Sequence, residues 1–204
     1  MNIVYATTNP GKLAMVQNSF AHHDLPLHSL ADYNIKVDID EVGSSLEENA
    51  RLKAEGYLKY LPSDAVVIGD DTGIEIDALG GEPGIKVRRW KGYPMSDEEI
   101  ITYCLERMKG IPAGKRQAQF RTVLAVASNS HPVKYFDGIL RGEILTSPQS
   151  LRSEGMPFWP IFYIPNLKMS LGQFHSMPIE FQLQHPTHRE SAVISALSYL
   201  RSMI

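Results

Sequence analysis

Residues 66–77 read VVIGDDTGIEID, an apolar run that meets two adjacent carboxylates and then resumes as an alternating pattern. The run Val66–Val67–Ile68 has the unbroken hydrophobicity of a buried strand. Gly73 to Asp77 alternates like a half-buried strand. Aspartate is a poor strand residue, and two neighbouring carboxylates repel each other. The pattern therefore places Asp70 and Asp71 at the tip of a buried strand, where the cost of their charge needs a reason.

The rest of the chain alternates strands and helices. NIVYATT at residues 2–8 reads as a short strand, and NPGKLAMVQNSFAHH follows with Leu13, Val16 and Phe20 at helical spacing. SSLEENARLKAEGYLKYL reads as a helix, with Ser45 and Glu48 as a capping box and Leu46, Ala50, Ala54 and Leu58 as its apolar stripe. SDEEIITYCLERMKG gives a third helix with Ser96 at its N-cap. RQAQFRTVLAVASNS and VKYFDGILRGEIL read as successive antiparallel strands joined near Asn129 and Ser130, and FWPIFYIP as a short aromatic strand bounded by prolines. THRESAVISALSYLRSMI closes the chain as a helix with Ala192, Leu197 and Leu200 facing in. The expectation is one α/β domain over residues 1–204, with a strand-rich middle, roughly 115–165, forming a second lobe.

Bulk properties narrow the function. At 204 residues the chain can bury a sizeable core, and a net charge of −3 gives no basic surface for nucleic acid. No apolar run approaches the ~20 residues needed to span a membrane, and the N-terminus lacks both the basic start and the apolar core of a signal peptide. The one cysteine, Cys104, cannot form an internal disulfide and sits in a helical pattern, as a packing thiol would. A cytoplasmic protein with no nucleic-acid or membrane partner is expected.

Three constellations carry chemistry. In ATTNPGK a strand turns into a helix with Thr7, Thr8, Asn9, Gly11 and Lys12 at the junction, and N–H groups at a helix start, hydroxyls and one lysine make a phosphate cradle. It is not a Walker A loop, since Ala6 stands where the first glycine belongs and Leu13 follows Lys12. In DEVGSSLEENARLKA, Glu41 precedes a helix that carries Glu48, Asn49 and Lys53; acidic residues in a first turn also serve the helix dipole alone. The third is Asp70–Asp71. Carboxylates beside a polyphosphate hold Mg²⁺ with few protein ligands, and a spare one can accept a proton from an attacking water. A solvated DDTG turn would account for the same residues. His188 and Arg189 in THR add polar groups at the start of the last helix.

ATTNPGK, EENARLKA, DDTGIEIDALGGEPG, RQAQFRTVLA and THR, in this order and at these intervals, resemble the Ham1/inosine triphosphate pyrophosphatase family over nearly the whole chain. The resemblance implies Mg²⁺-dependent cleavage of non-canonical purine nucleoside triphosphates to the monophosphate and pyrophosphate. It also implies an elongated α/β fold with a mixed sheet, two lobes flanking a central cleft, and a homodimer. By resemblance, Thr7 to Lys12 hold the triphosphate, Glu41, Asp70 and Asp71 the metal, and Lys53 the phosphate side. Asp71 would be the proton acceptor, Thr72 a substrate contact, and His188 and Arg189 contacts at the purine.

The chain departs from the family pattern in its base-reading half. The family's GFGYDP-type segment is matched by EGMPFWP, so that Met156, Phe158 and Trp159 stand at substrate-binding positions. Leu183 replaces an expected lysine and Met15 an expected glutamate. Phe158 and Trp159 would equally serve as core aromatics. A pocket that exchanges polar groups for apolar ones loses its power to reject near-isosteric bases. Two alternatives follow: the same fold with shifted base specificity, or a nucleotide-binding relative without turnover.

Overall fold

In the computed structural model, residues 2–203 are described. The strands are β1 (Ile3–Ala6), β2 (His28–Ser29), β3 (Val66–Ile76), β4 (Pro83–Gly84), β5 (Gln117–Ser128), β6 (Lys134–Ile144), β7 (Phe162–Ile164) and β8 (Met169–Ser170). The helices are α1 (Pro10–His22), α2 (Leu46–Leu58), α3 (Asp97–Arg107), α4 (Leu171–His175), α5 (Ile179–Gln184) and α6 (His188–Ser202). The chain divides into two compact units, one of Met1–Thr72, Thr122–Ile139 and Thr187–Ile204, the other of Gly73–Arg121 and Leu140–Pro186. Strands β3, β5 and β6 each pass from one unit into the other.

In the first unit the strand order is β2-β1-β3-β5-β6. β1 runs parallel to β2 and to β3, with Ile3 opposite Val66 and Ala6 opposite Gly69. One face of this sheet is apolar through Ile3, Tyr5, Val66, Ile68, Leu124 and Val126, and it is covered by Val16 and Phe20 of α1 and by Ala192, Ala196 and Leu200 of α6. The opposite face receives α2 at backbone contact. A Cβ on Gly69 would collide with the Ala50 carbonyl and come within 2.8 Å of the Ala54 nitrogen. Gly138 does the same for α6, where a Cβ would meet the His188 carbonyl and lie 2.6 Å from the Ala192 nitrogen.

The second unit has the order β3-β5-β6-β7-β8, with β4 antiparallel to β3 and β7 antiparallel to both its neighbours. Parallel and antiparallel pairs together make a mixed α/β sheet. Its core joins Ile74 and Ile76 to Ile100, Cys104 and Met108 of α3 and to Phe120, Phe158, Phe162 and Phe174. Burial pushes the Cys104 thiol up to about 12, which suits a packing residue and not a nucleophile. Arg116 donates to the carbonyls of Met108, Ile111, Ile144 and Leu145, tying the end of α3 to β6.

Several local expectations change. β3 does not end at the carboxylates but runs unbroken through Asp70 and Asp71 to Ile76. Ser45 caps α2 as expected, accepting from the Glu48 N–H, but the Glu48 carboxylate returns to Ser44. Only Phe162–Ile164 of FWPIFYIP is strand, since Phe158–Pro160 lies in a tight turn. Helices α4 and α5 lie in a stretch whose sequence shows no helical period.

Candidate active site

The alternation of β3 resolves the conflict between its two carboxylates. Side chains two apart share a face of a strand, so Asp70 follows Val66 and Ile68 toward α1 and α6, while Asp71 follows Val67 and Gly69 toward α2. Each carboxylate thus meets its own set of donors, and neither needs the strand to end.

Asp70 is 1 % exposed, and both its oxygens are engaged. Oδ1 accepts from Lys12 Nζ at 2.5 Å and from the Thr72 hydroxyl at 3.4 Å. Oδ2 accepts from the Tyr5 hydroxyl at 2.8 Å and from Arg189 Nε at 3.0 Å. Burial pushes this carboxyl up, but Arg189 and Lys12 outweigh burial and hold it well below the usual carboxylate range. Burial and the neighbouring Asp70 charge keep Tyr5 protonated as a donor. Arg189 Nη2 donates to Thr72 Oγ1 at 2.9 Å, and Thr72 Oγ1 lies 2.7 Å from Thr122 Oγ1. Arg189 Nη1 faces a weak acceptor, Met15 Sδ, at 4.0 Å, where the expected glutamate would have been a strong one.

Asp71 is 7 % exposed and differently served. Asn49 Nδ2 donates to its Oδ2 at 3.0 Å, and Lys53 Nζ lies 3.9 Å from its Oδ1. Burial pushes its carboxyl up to about 6, against the pull of Lys53 and Lys12. Lys53 also donates to the Asp70 carbonyl at 2.9 Å and sits 2.8 Å from Glu41 Oε1. Asn49 and Lys53 are four residues apart on α2, so both project from one face onto β3.

Asn9 caps α1, accepting from the Lys12 N–H at 3.0 Å, and Thr7 Oγ1 accepts from the Asn9 N–H at 3.2 Å. Pro10 and Gly11 fill the first helical positions, Thr8 is exposed, and the helix start carries the partial positive charge that favours phosphate. Arg189 and His188 open α6, buried beside the Thr187–Glu190 capping box.

The first unit therefore brings together Lys12, Glu41, Lys53, Asp70, Asp71, Thr72 and Arg189. Met156, Phe158 and Trp159 belong to the second unit. There Phe158 is 2 % exposed and packs edge-on against Phe120, so its ring is a core element and not an open contact. Trp159 is half-buried and stacks on His175 with ring centres 4.2 Å apart, and Met156 is half-buried. Sequence reasoning assigned no role to Tyr5, Asn49 or Thr122. Tyr5 carried the one polar tip in an apolar strand, but nothing local indicated its partner.

The donor chemistry distinguishes the carboxylates. Among the described residues no three His, Cys, Asp or Glu side chains converge as a closed metal cage. Mg²⁺ needs only one or two protein carboxylates when phosphates and waters complete its shell. Glu41 and Asp71, both reached by Lys53, fit that requirement. Asp70, expected to share the metal, has both oxygens occupied by cationic and hydroxyl donors and instead gathers Lys12 and Arg189.

The sequence matches the Ham1 family over residues 3–198. It is similar to the dITP/XTP pyrophosphatase of Thermoanaerobacter pseudethanolicus, with 35 % identity over 200 residues covering 98 % of this chain and 96 % of that one. Among solved structures it is similar to the Ham1 protein of Staphylococcus aureus, with a TM-score of 0.80, 32 % identity and full coverage of both chains. A HAM1 protein from Coxiella burnetii gives a TM-score of 0.81 at 28 % identity, with 99 % of each chain covered.

Proposed function

This chain belongs to the Ham1 family, and from that premise we propose that it is a nucleoside triphosphate pyrophosphatase that converts non-canonical purine nucleotides to the monophosphate and pyrophosphate. The observation that carries the reading is the division of labour on β3. Asp70 is held ionised among fixed cations, while Asp71 next to it, its carboxyl pushed up by burial, accepts from Asn49 at one oxygen and faces Lys53 with the other.

The catalytic roles follow from that division. Lys12, at the start of α1, and Arg189 are fixed by Asp70 and supply positive charge where a triphosphate loses its hydration. Thr7, Thr8, Asn9 and Gly11 form the turn that receives the phosphates. Thr72, oriented by Arg189 and Thr122, offers a hydroxyl beside them. Asp71 accepts the proton of the attacking water, and its carboxyl, pushed up to about 6, suits a base at neutral pH. Lys53 keeps Asp71 and Glu41 in register. Glu41 and Asp71 would hold Mg²⁺, which when bound neutralises charge on the pyrophosphate leaving group. Because Phe158 is in the core, Met156 and Trp159, with Leu183 and His188, are the residues proposed to set base preference. We further propose a homodimer working in the cytoplasm; no helix among the described residues is long and apolar enough to cross a membrane.

The test is pyrophosphate release with Mg²⁺ from a panel of inosine, xanthosine and standard-base triphosphates in ribo and deoxy forms. Selective turnover of the inosine and xanthosine forms is expected. Equal turnover of all bases would instead mean that the altered EGMPFWP segment has lost discrimination. Thermal stabilisation by nucleotide without pyrophosphate release would identify a binder without turnover.

A pH dependence follows from Asp71. The base must be ionised, so kcat/KM should rise with pH through a midpoint near 6 at low Mg²⁺. Raising Mg²⁺ should move that midpoint downward, because the cation favours the ionised carboxylate. Stability should carry the opposite sign. The unfolded carboxyl releases its proton near 3.8 and the folded one near 6, so the Asp71 contribution falls as pH rises between those values. An activity profile flat from pH 5 to 8 would contradict the assignment.

A further inference from the structure

We infer that Asn49 is a positioning residue that fixes the Asp71 carboxylate and the Glu41 loop as one unit, an inference that rests on the pyrophosphatase reading above. Asn49 is 4 % exposed in the first turn of α2. The helix does not need its side chain, since Ser45 supplies the cap and the Asn49 N–H already donates to the Ser45 carbonyl at 3.1 Å. Both ends of its amide are instead directed out of the helix. Nδ2 donates to Asp71 Oδ2 at 3.0 Å, and Oδ1 accepts from the Gly43 N–H at 2.8 Å. Those partners fix the amide orientation, because an ionised carboxylate only accepts and a backbone N–H only donates.

Two consequences follow. Asp71 Oδ2 is committed to Asn49, which leaves Oδ1, the oxygen facing Lys53, for a water or a divalent cation. Gly43 lies two residues from Glu41, so the same side chain that orients Asp71 anchors the loop that presents Glu41. Lys53, four residues further along α2, closes the arrangement by reaching both carboxylates. Asn49 and Lys53 thus tie the Glu41 loop to β3 from two points, Asn49 through the Gly43 N–H and Lys53 through the Glu41 carboxylate. Leucine, of similar size, would keep the packing and lose both bonds.

The test compares wild type, Asn49→Leu, Asp71→Asn and the double variant by steady-state pyrophosphate release. Mn²⁺ binding to the nucleotide-free proteins is followed in parallel by electron paramagnetic resonance. Outer-shell partners of metal ligands typically contribute about 10–100-fold. Asn49→Leu should therefore lower kcat by roughly that factor and weaken Mn²⁺ binding comparably, with KM for the triphosphate within about threefold, since Lys12 and Arg189 are untouched. In the Asp71→Asn background the same substitution should cost clearly less than in wild type, because the part of its effect that passes through Asp71 is already lost and only the anchoring of the Glu41 loop remains. A kcat near wild type in Asn49→Leu, or an equal loss repeated in the Asp71→Asn background, would overturn the inference and leave Asn49 a packing residue. Wild type that releases no pyrophosphate from any triphosphate would instead overturn the functional reading. Mn²⁺ binding would then judge Asn49 by itself, with unchanged affinity in Asn49→Leu overturning the inference.

Discussion

Asp70→Ala should destabilise the protein by about 3–5 kcal/mol, the usual cost of removing one partner from a buried ion pair. Arg189 is 4 % and Lys12 18 % exposed in their side chains, and Asp70 is the carboxylate that both contact. Without it, two cations and the Tyr5 hydroxyl face one another with no carboxylate between them, Arg189 being almost wholly buried. For a chain of this size the melting temperature should fall by roughly 10 °C. The pH behaviour gives an internal check. Asp70 is held below its unfolded value, so its contribution is present above about pH 4 and is lost as pH falls through the folded value. The gap between wild type and variant should therefore narrow in acid. Urea unfolding that finds the variant within about 1 kcal/mol of wild type at neutral pH would contradict the ion-pair account.

Asp71→Asn, one residue away, should do the reverse. Loss of a general base lowers kcat by roughly 10²–10⁴-fold. Stability, however, should hold or rise near neutral pH, because the wild-type carboxylate there is an ionised group disfavoured by burial. The substituted amide keeps an oxygen to accept from Asn49. Adjacent, chemically identical residues should thus separate cleanly into one that supports the fold and one that supports turnover. Activity of Asp71→Asn within tenfold of wild type would remove Asp71 from the proton-acceptor role.

The same pair shows what the sequence could and could not reveal. VVIGDDTGIEID marked a buried strand and two carboxylates correctly, but local rules ended the strand where the charges began. β3 continues because its donors come from far along the chain: Lys12 is 58 residues and Arg189 119 residues from Asp70. No propensity argument contains such partners. Helices α1, α2, α3 and α6 were legible from caps and periodicity. Helices α4 and α5, of five and six residues, are too short for a period to show. In the candidate site, Lys12, Lys53, Asp70, Asp71 and Arg189 were singled out through motif order, and the fold brings them together in one unit. Tyr5 and Thr122 read as strand residues, and Asn49 as an unremarkable first-turn residue, because their roles exist only once α2, β3 and β5 are folded together.

EGMPFWP illustrates the limit from the other side. The resemblance placed Phe158 and Trp159 at substrate positions while the residues alone allowed core aromatics, and Phe158 packs edge-on against Phe120 in the core while Trp159 stacks on His175. Burial, which decides between a contact and a core residue, depends on β5 and α4, neither of which adjoins the segment in sequence.

The most direct test of the central claim is the identity of the products. ³¹P NMR of deoxyinosine triphosphate incubated with the protein and Mg²⁺ should show pyrophosphate and the nucleoside monophosphate appearing together in equal amounts. Appearance of the diphosphate with inorganic phosphate, or an unchanged triphosphate spectrum across the whole substrate panel, would contradict the assignment of this site to pyrophosphate release.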